Sequence, residues 1–105
     1  RILAYNMGLM EGLEGNYQRA KEILECGMHS CMRVGRFDIL PSCLYCMGWV
    51  LREEEKKEMC RGENDQKARY ILEQAFCFAN MLNFPSLCNE IYNYYEEEWD
   101  EKITY

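Results

Sequence analysis

Two cysteines separated by two residues, in Cys43-Leu44-Tyr45-Cys46, are the most chemically suggestive feature of this 105-residue sequence. A pair at that spacing can supply half of a zinc site or form a redox dithiol. The single histidine, His29, lies two residues from Cys31, which brings the residue types of a Cys–His nucleophile close in the chain. Each chemistry makes a demand on local structure. Zinc pairs of this spacing favour turns, and a redox pair favours the start of a helix, where the dipole lowers one thiol pKa. Cys43 and Cys46 fall instead inside an apolar stripe at helical spacing, and residues two apart, such as His29 and Cys31, point from different faces of a helix. The seven cysteines (Cys26, Cys31, Cys43, Cys46, Cys60, Cys77, Cys88) are odd in number and mostly lodged among apolar residues. They read as small hydrophobes in a reducing compartment, not as a disulfide framework. The residues therefore nominate no enzyme, no metal site and no cofactor.

The elements that position these residues are helices. The chain has two prolines and seven glycines, is 49% hydrophobic, and lacks runs of alternating β-branched residues, which predicts one all-α domain with a real core. The first helix follows Ile2, Leu3, Met7, Met10 and Leu13, and Gly15-Asn16 breaks it. A long second helix runs from Tyr17 through Ala20, Ile23, Leu24, Met28, Cys31 and Met32 to a left-handed cap at Gly35. The third starts between Asp38 and Ser42, tolerates Pro41 in its first turn, and buries Cys43, Leu44, Met47, Trp49, Val50 and Leu51. It leads into the charged segment Arg52 to Asp65, expected as a solvated tail and then a loop around Arg61-Gly62-Glu63-Asn64. The fourth, Asp65 to about Asn83, packs Ala68, Ile71, Leu72, Ala75, Phe76, Ala79 and Leu82. Pro85-Ser86 opens the fifth, which carries Leu87, Ile91, Tyr94 and Tyr95 and fades into the acidic run Glu96 to Glu101.

The chain repeats itself. Ala4 to Gly12 (AYNMGLMEG) parallels Leu44 to Arg52 (LYCMGWVLR), aligning Met7 with Met47 and Gly8 with Gly48 at a shift of 40 residues. Asn16 to Glu25 (NYQRAKEILE) parallels Asn64 to Glu73 (NDQKARYILE) at a shift of 48, and Leu40-Pro41-Ser42 is echoed by Phe84-Pro85-Ser86. Each unit is a helix, a tight turn and a second helix, giving unit one over 1–36, unit two over 37–83 and a terminal helix over 84–105. Glycine within the first helix of a unit and alanine early in the second, as with Gly8 and Ala20, would let antiparallel helices interlock.

With Met7, Gly8, Gly15, Tyr17, Ala20 and Leu24 in one unit, and Leu44, Met47, Gly48, Leu51, Ala68, Leu72 and Ala75 in the next, the sequence resembles tetratricopeptide repeats. Glu11 departs from that pattern, where the family prefers a large apolar residue, and Gly27 is an acceptable small replacement. The resemblance implies an antiparallel α-α superhelix of about five helices that binds rather than catalyses. The long second helices and two and a half units further resemble the C-terminal part of repressor-like helix-turn-helix regulators of Gram-positive bacteria. That likeness implies a cytoplasmic sensor and oligomerisation domain, a fragment lacking its N-terminal DNA-binding domain; the alternative is a stand-alone interaction adaptor.

Position in the repeat places Tyr5, Asn6, Leu9, Ser42, Tyr45, Cys46 and Trp49 on the ligand-facing surface of such an array. Asn suits a peptide backbone and Tyr or Trp gives rigid contact with a polar tip, so a peptide or protein segment is one occupant. Packing against an upstream helix or a second subunit is the other. A formal charge of −6 argues against direct nucleic-acid binding by this segment and favours a neutral or basic peptide. No apolar run is long enough to span a membrane, and the N-terminus lacks a signal-peptide layout. Tyr92, Tyr94, Tyr95 and Trp99 suggest an exposed aromatic face, the acidic run beside them reads as solvated, and two and a half units imply self-association, most simply as a dimer.

Overall fold

The computed structural model describes residues 3–58 and 62–103. Ile2, expected in the first helix, and Arg61, expected in the loop before the fourth, lie outside the described residues, as does Cys60. The described chain is all-α, with α1 (Ala4–Leu13), α2 (Tyr17–Val34), α3 (Leu40–Glu58), α4 (Asp65–Met81) and α5 (Pro85–Trp99). None of these helices is long and apolar enough to cross a membrane.

Three helix ends close in the same way. Gly15, Gly35 and Asn83 take left-handed backbone, at φ 85°, 78° and 59°. Behind each, the next amide bonds back across the last turn: Asn16 to the Glu11 carbonyl, Arg36 to Cys31 and Phe84 to Ala79, at 2.8 to 2.9 Å. This satisfies carbonyls that a helix end leaves orphaned and turns the chain sharply enough to double back. Asn83 is thus a stop signal, and α4 ends at Met81 rather than running on to it.

Consecutive helices are antiparallel. Near the start of α2, Lys21 meets Glu54 near the end of α3 at 2.9 Å; Asn64, just before α4, donates to Glu54 at 2.7 Å and to the Leu51 carbonyl at 3.3 Å. Early in α4, Arg69 reaches the Tyr95 hydroxyl late in α5 at 3.1 Å. Helix α3 is the hub, touching α1, α2 and α4 along its length and α5 through side chains.

The repeat seen in sequence is a repeat of contacts. A Cβ added at Gly8 would stand 2.5 Å from Leu24 Cγ, and one added at Gly48 would stand 2.6 Å from Leu72 Cγ. Each missing side chain admits a leucine from the antiparallel neighbour, and both leucines are fully buried. Ala20, expected as a contact point of the hairpin, is fully buried in the cluster that Tyr17 and Leu24 form with Cys46, Met47, Val50 and Leu51 of α3. A second cluster joins Leu72, Ala75 and Ala79 to Ile91, Tyr95 and Ile103.

Three expectations about polar and aromatic segments are corrected. The charged stretch after Leu51 is solvated only at its end, where Lys56, Lys57 and Glu58 are exposed. Arg52 holds Glu98 at 2.9 Å and Asp65 at 3.5 Å, and Lys56 bridges Glu53 and Glu98 at 3.1 and 3.0 Å. The acidic run is engaged in part, with Glu98 held and Glu101 on Arg69 at 2.8 Å, while Glu96, Glu97 and Asp100 are exposed as expected. The aromatic residues of α5 face inward. Tyr95 is 2% exposed, Tyr94 donates to Glu53, and Trp99 packs on both clusters and donates to Asp65 at 2.6 Å beneath the Arg52 guanidinium.

The stripe on α1 is only half covered. Met47 and Val50, clustered with Tyr17, Ala20 and Leu24 of α2, are 6% and 0% exposed, whereas their counterparts Met7 and Met10 are 41% and 58% exposed. At the other end of the array the outer positions of α5, Asn89, Asn93, Glu96 and Glu97, are polar and exposed.

Substituting Gly48→Val should lower stability in urea unfolding by about 2 kcal/mol, because the methyls must displace buried Leu72 and overpacking of this kind costs roughly 1–3 kcal/mol. Adding Leu72→Ala should make the pair less destabilised than the sum of its single variants, since each change then relieves the other.

Candidate functional site

All seven residues nominated from sequence line one concavity. Tyr5, Asn6 and Leu9 come from α1, and Ser42, Tyr45, Cys46 and Trp49 from α3, with Leu87 and Glu90 of α5 closing the far side of a cavity of about 320 Å³. Three helices therefore contribute, separated in the chain but aligned by the repeat. The α1–α3 wall depends on another small residue. A Cβ at Gly12 would stand 2.6 Å from Trp49 Cζ3, so the bare backbone there gives the indole its seat.

Within the groove the residues differ in what they can do. Asn6 and Leu9 are exposed, Tyr5, Ser42, Tyr45 and Trp49 are half-buried, and Cys46 is buried at the base. The Cys46 thiol donates to the Tyr5 carbonyl at 3.3 Å, which ties α3 to α1. Burial pushes its pKa up to about 11, so it is a poor nucleophile and acts as part of the wall. The Tyr45 ring meets Tyr94 edge-on at 6.2 Å, and burial, with the nearby Glu90 charge next, raises its hydroxyl to about 12. Glu90 is exposed and has no ion-pair partner among the described residues.

Cys43 is fully buried against the Cys31 and Cys46 thiols, and burial above all raises it to about 12. His29 is exposed whereas Cys31 is buried, so the two do not share a face. Among the described residues no group of three His, Cys, Asp or Glu side chains is placed to hold a metal ion.

No known family model, curated protein or solved structure matches the chain. The site thus stands on its own geometry.

Leu87 and Glu90 are groove residues that were not nominated from sequence. The signal for Glu90 lay in the Leu40-Pro41-Ser42 and Phe84-Pro85-Ser86 echo: its shift of 44 aligns Glu90 with Cys46, which the shift of 40 aligns with Asn6. One row down the groove therefore reads amide, thiol, carboxylate.

The raised acids set an alkaline limit. Because Cys43, Cys46 and Tyr45 hold their protons more tightly folded than unfolded, the unfolded chain releases them first as pH rises. Their stabilisation is complete below about pH 9, near the ordinary thiol value, and is lost as pH climbs through the folded values. The melting temperature should hold level from about pH 7 to 8.5 and fall above pH 9. At pH 8, mass-spectrometric alkylation should label exposed Cys26 roughly tenfold or more faster than Cys43 or Cys46.

Proposed function

We propose that this chain is a binding module without catalytic activity, whose groove across α1, α3 and α5 takes a short peptide or a segment of a partner protein. It serves in this reading as the sensor and oligomerisation domain of a bacterial transcriptional regulator, acting in the cytoplasm. The observation that carries the binding half is the convergence of Tyr5, Asn6, Leu9, Ser42, Tyr45, Cys46 and Trp49 on one concavity of about 320 Å³. A groove of rigid aromatic walls with an exposed amide offers apolar contact and a donor–acceptor pair to a peptide backbone at low entropic cost.

The regulator half rests on resemblance to tetratricopeptide sensor domains, which is analogy at the level of fold. Direct contact with nucleic acid is assigned to a domain upstream, since a segment of charge −6 has little with which to neutralise phosphate. The uncovered Met7–Met10 face of α1 supplies a surface for oligomerisation. That same face favours a second reading, a stand-alone adaptor, because it can equally seat a helix from another protein.

A random peptide library titrated against the protein should yield binders whose affinity falls about tenfold in Asn6→Ala and Trp49→Ala. Unchanged affinity in both variants would remove this groove as the site. In sedimentation velocity, the protein should self-associate and the Met7→Glu/Met10→Glu variant should be monomeric; a monomer at high concentration for the parent chain would refute oligomerisation. A gene encoding a helix-turn-helix upstream of Arg1 would support the regulator, and its absence there would leave the adaptor.

A further inference from the structure

The α5 side of the groove differs chemically from the α1 side. At corresponding positions α1 presents Asn6 and α5 presents Glu90, and among the described residues Glu90 is the one charged residue in the groove lining. Neighbouring carboxylates are already engaged: Glu98 is held by Arg52 and Lys56, and Glu53 accepts from Lys56 and Tyr94. Glu98 shows the strength of that engagement. Burial would raise its pKa, yet the bonds to Lys56 and Arg52 bring it below the ordinary value. Among the described residues Glu90 has no such cation.

Beside Glu90 stands Tyr45, half-buried and close enough for its hydroxyl to feel the Glu90 charge, while Trp49 lines the same groove from its seat on α1. A carboxylate next to aromatic surface is a receptor for a cation that is also flat and weakly hydrated. Guanidinium fits better than ammonium, because it can pair with the carboxylate through two N–H groups while its face lies on a ring. The chain already makes this arrangement internally, with Arg52 5.0 Å from the Trp99 ring centroid and bonded to Glu98. The formal charge of −6 would also draw a cationic ligand toward the surface.

We propose that the α5 side of the groove, Glu90 with Tyr45, is a pocket for an arginine side chain of the bound peptide. The proposal rests on the groove being a peptide site and adds the chemistry of its ligand. Asn6 then meets the peptide backbone on the α1 side, and Leu9 gives an apolar contact next to it.

The test uses the acetylated and amidated pentapeptide Ala-Leu-Arg-Leu-Ala and its citrulline and lysine counterparts, titrated calorimetrically against the protein, Glu90→Gln and Glu25→Gln. Citrulline keeps the shape and removes the charge, and Glu25 is an exposed α2 residue outside the groove lining, so its variant controls for net charge. The arginine peptide should bind about tenfold more tightly than the citrulline peptide and more tightly than the lysine peptide. Glu90→Gln should abolish that preference and Glu25→Gln should retain it. If library binders lose affinity in Asn6→Ala and Trp49→Ala but the arginine and citrulline peptides bind alike, the arginine pocket is overturned while the peptide groove stands. If neither pentapeptide binds and the library gives no groove binder, both fall.

Discussion

Gly48 lacks a side chain where Leu72 needs the space, and the rest of the molecule is arranged around that close approach. With no Cβ to hold it off, α4 lies against the middle of α3 and inserts a fully buried leucine between the backbones. The same contact is made once more by Gly8 and Leu24. Two glycine–leucine locks fix the hairpins, and the hub position of α3 follows because its other faces remain free to meet α1, α2 and α5. Protein interiors are close-packed, so a lock of this kind transmits position along a helix instead of absorbing error. The groove residues on α3 are set by it at one remove.

Polar contacts supply the second layer of order. Arg52 joins α3 to both the start of α4 and the end of α5, and Trp99 lies under it with its indole N–H on Asp65. Partly buried and shared among several partners, these ion pairs matter more than isolated surface pairs, whose worth is near zero to about 1 kcal/mol. They turn the acidic end of α5 into a clasp. They also use up cations and carboxylates, which is why the charge left over in the groove is conspicuous.

The fold was legible where the information is local. Helical spacing, the Gly15 and Gly35 stops and the repeat itself are statements about neighbouring residues, and they placed the five helices within a few positions. The groove was readable because it is periodic: residues equivalent in the repeat share a face. What escaped was the identity of partners. Gly8 could be seen to need a close neighbour, but that Leu24 fills the space depends on the rotation of α2, which spacing alone does not give. Arg52 and Glu98 are 46 residues apart, and nothing in either neighbourhood marks them as a pair. Met7 and Met10 belong to a stripe like that of α3, yet a stripe says which face is apolar and not whether anything lies on it. Glu90 was missed for a simpler reason, since the third unit is half complete and its register was visible only through a three-residue echo.

The exposed faces of α1 and α5 do not match. The first offers methionines, while the second offers asparagines and glutamates. Copies stacked head to tail would press an apolar face on a polar one, with carboxylates losing water and gaining no partner. The proposed association through α1 would instead pair like with like across a two-fold axis, and such a contact would use up both faces at once. Faces so unequal offer no complementary pair for open-ended stacking, and in the proposed self-association they would favour a closed pair over a filament.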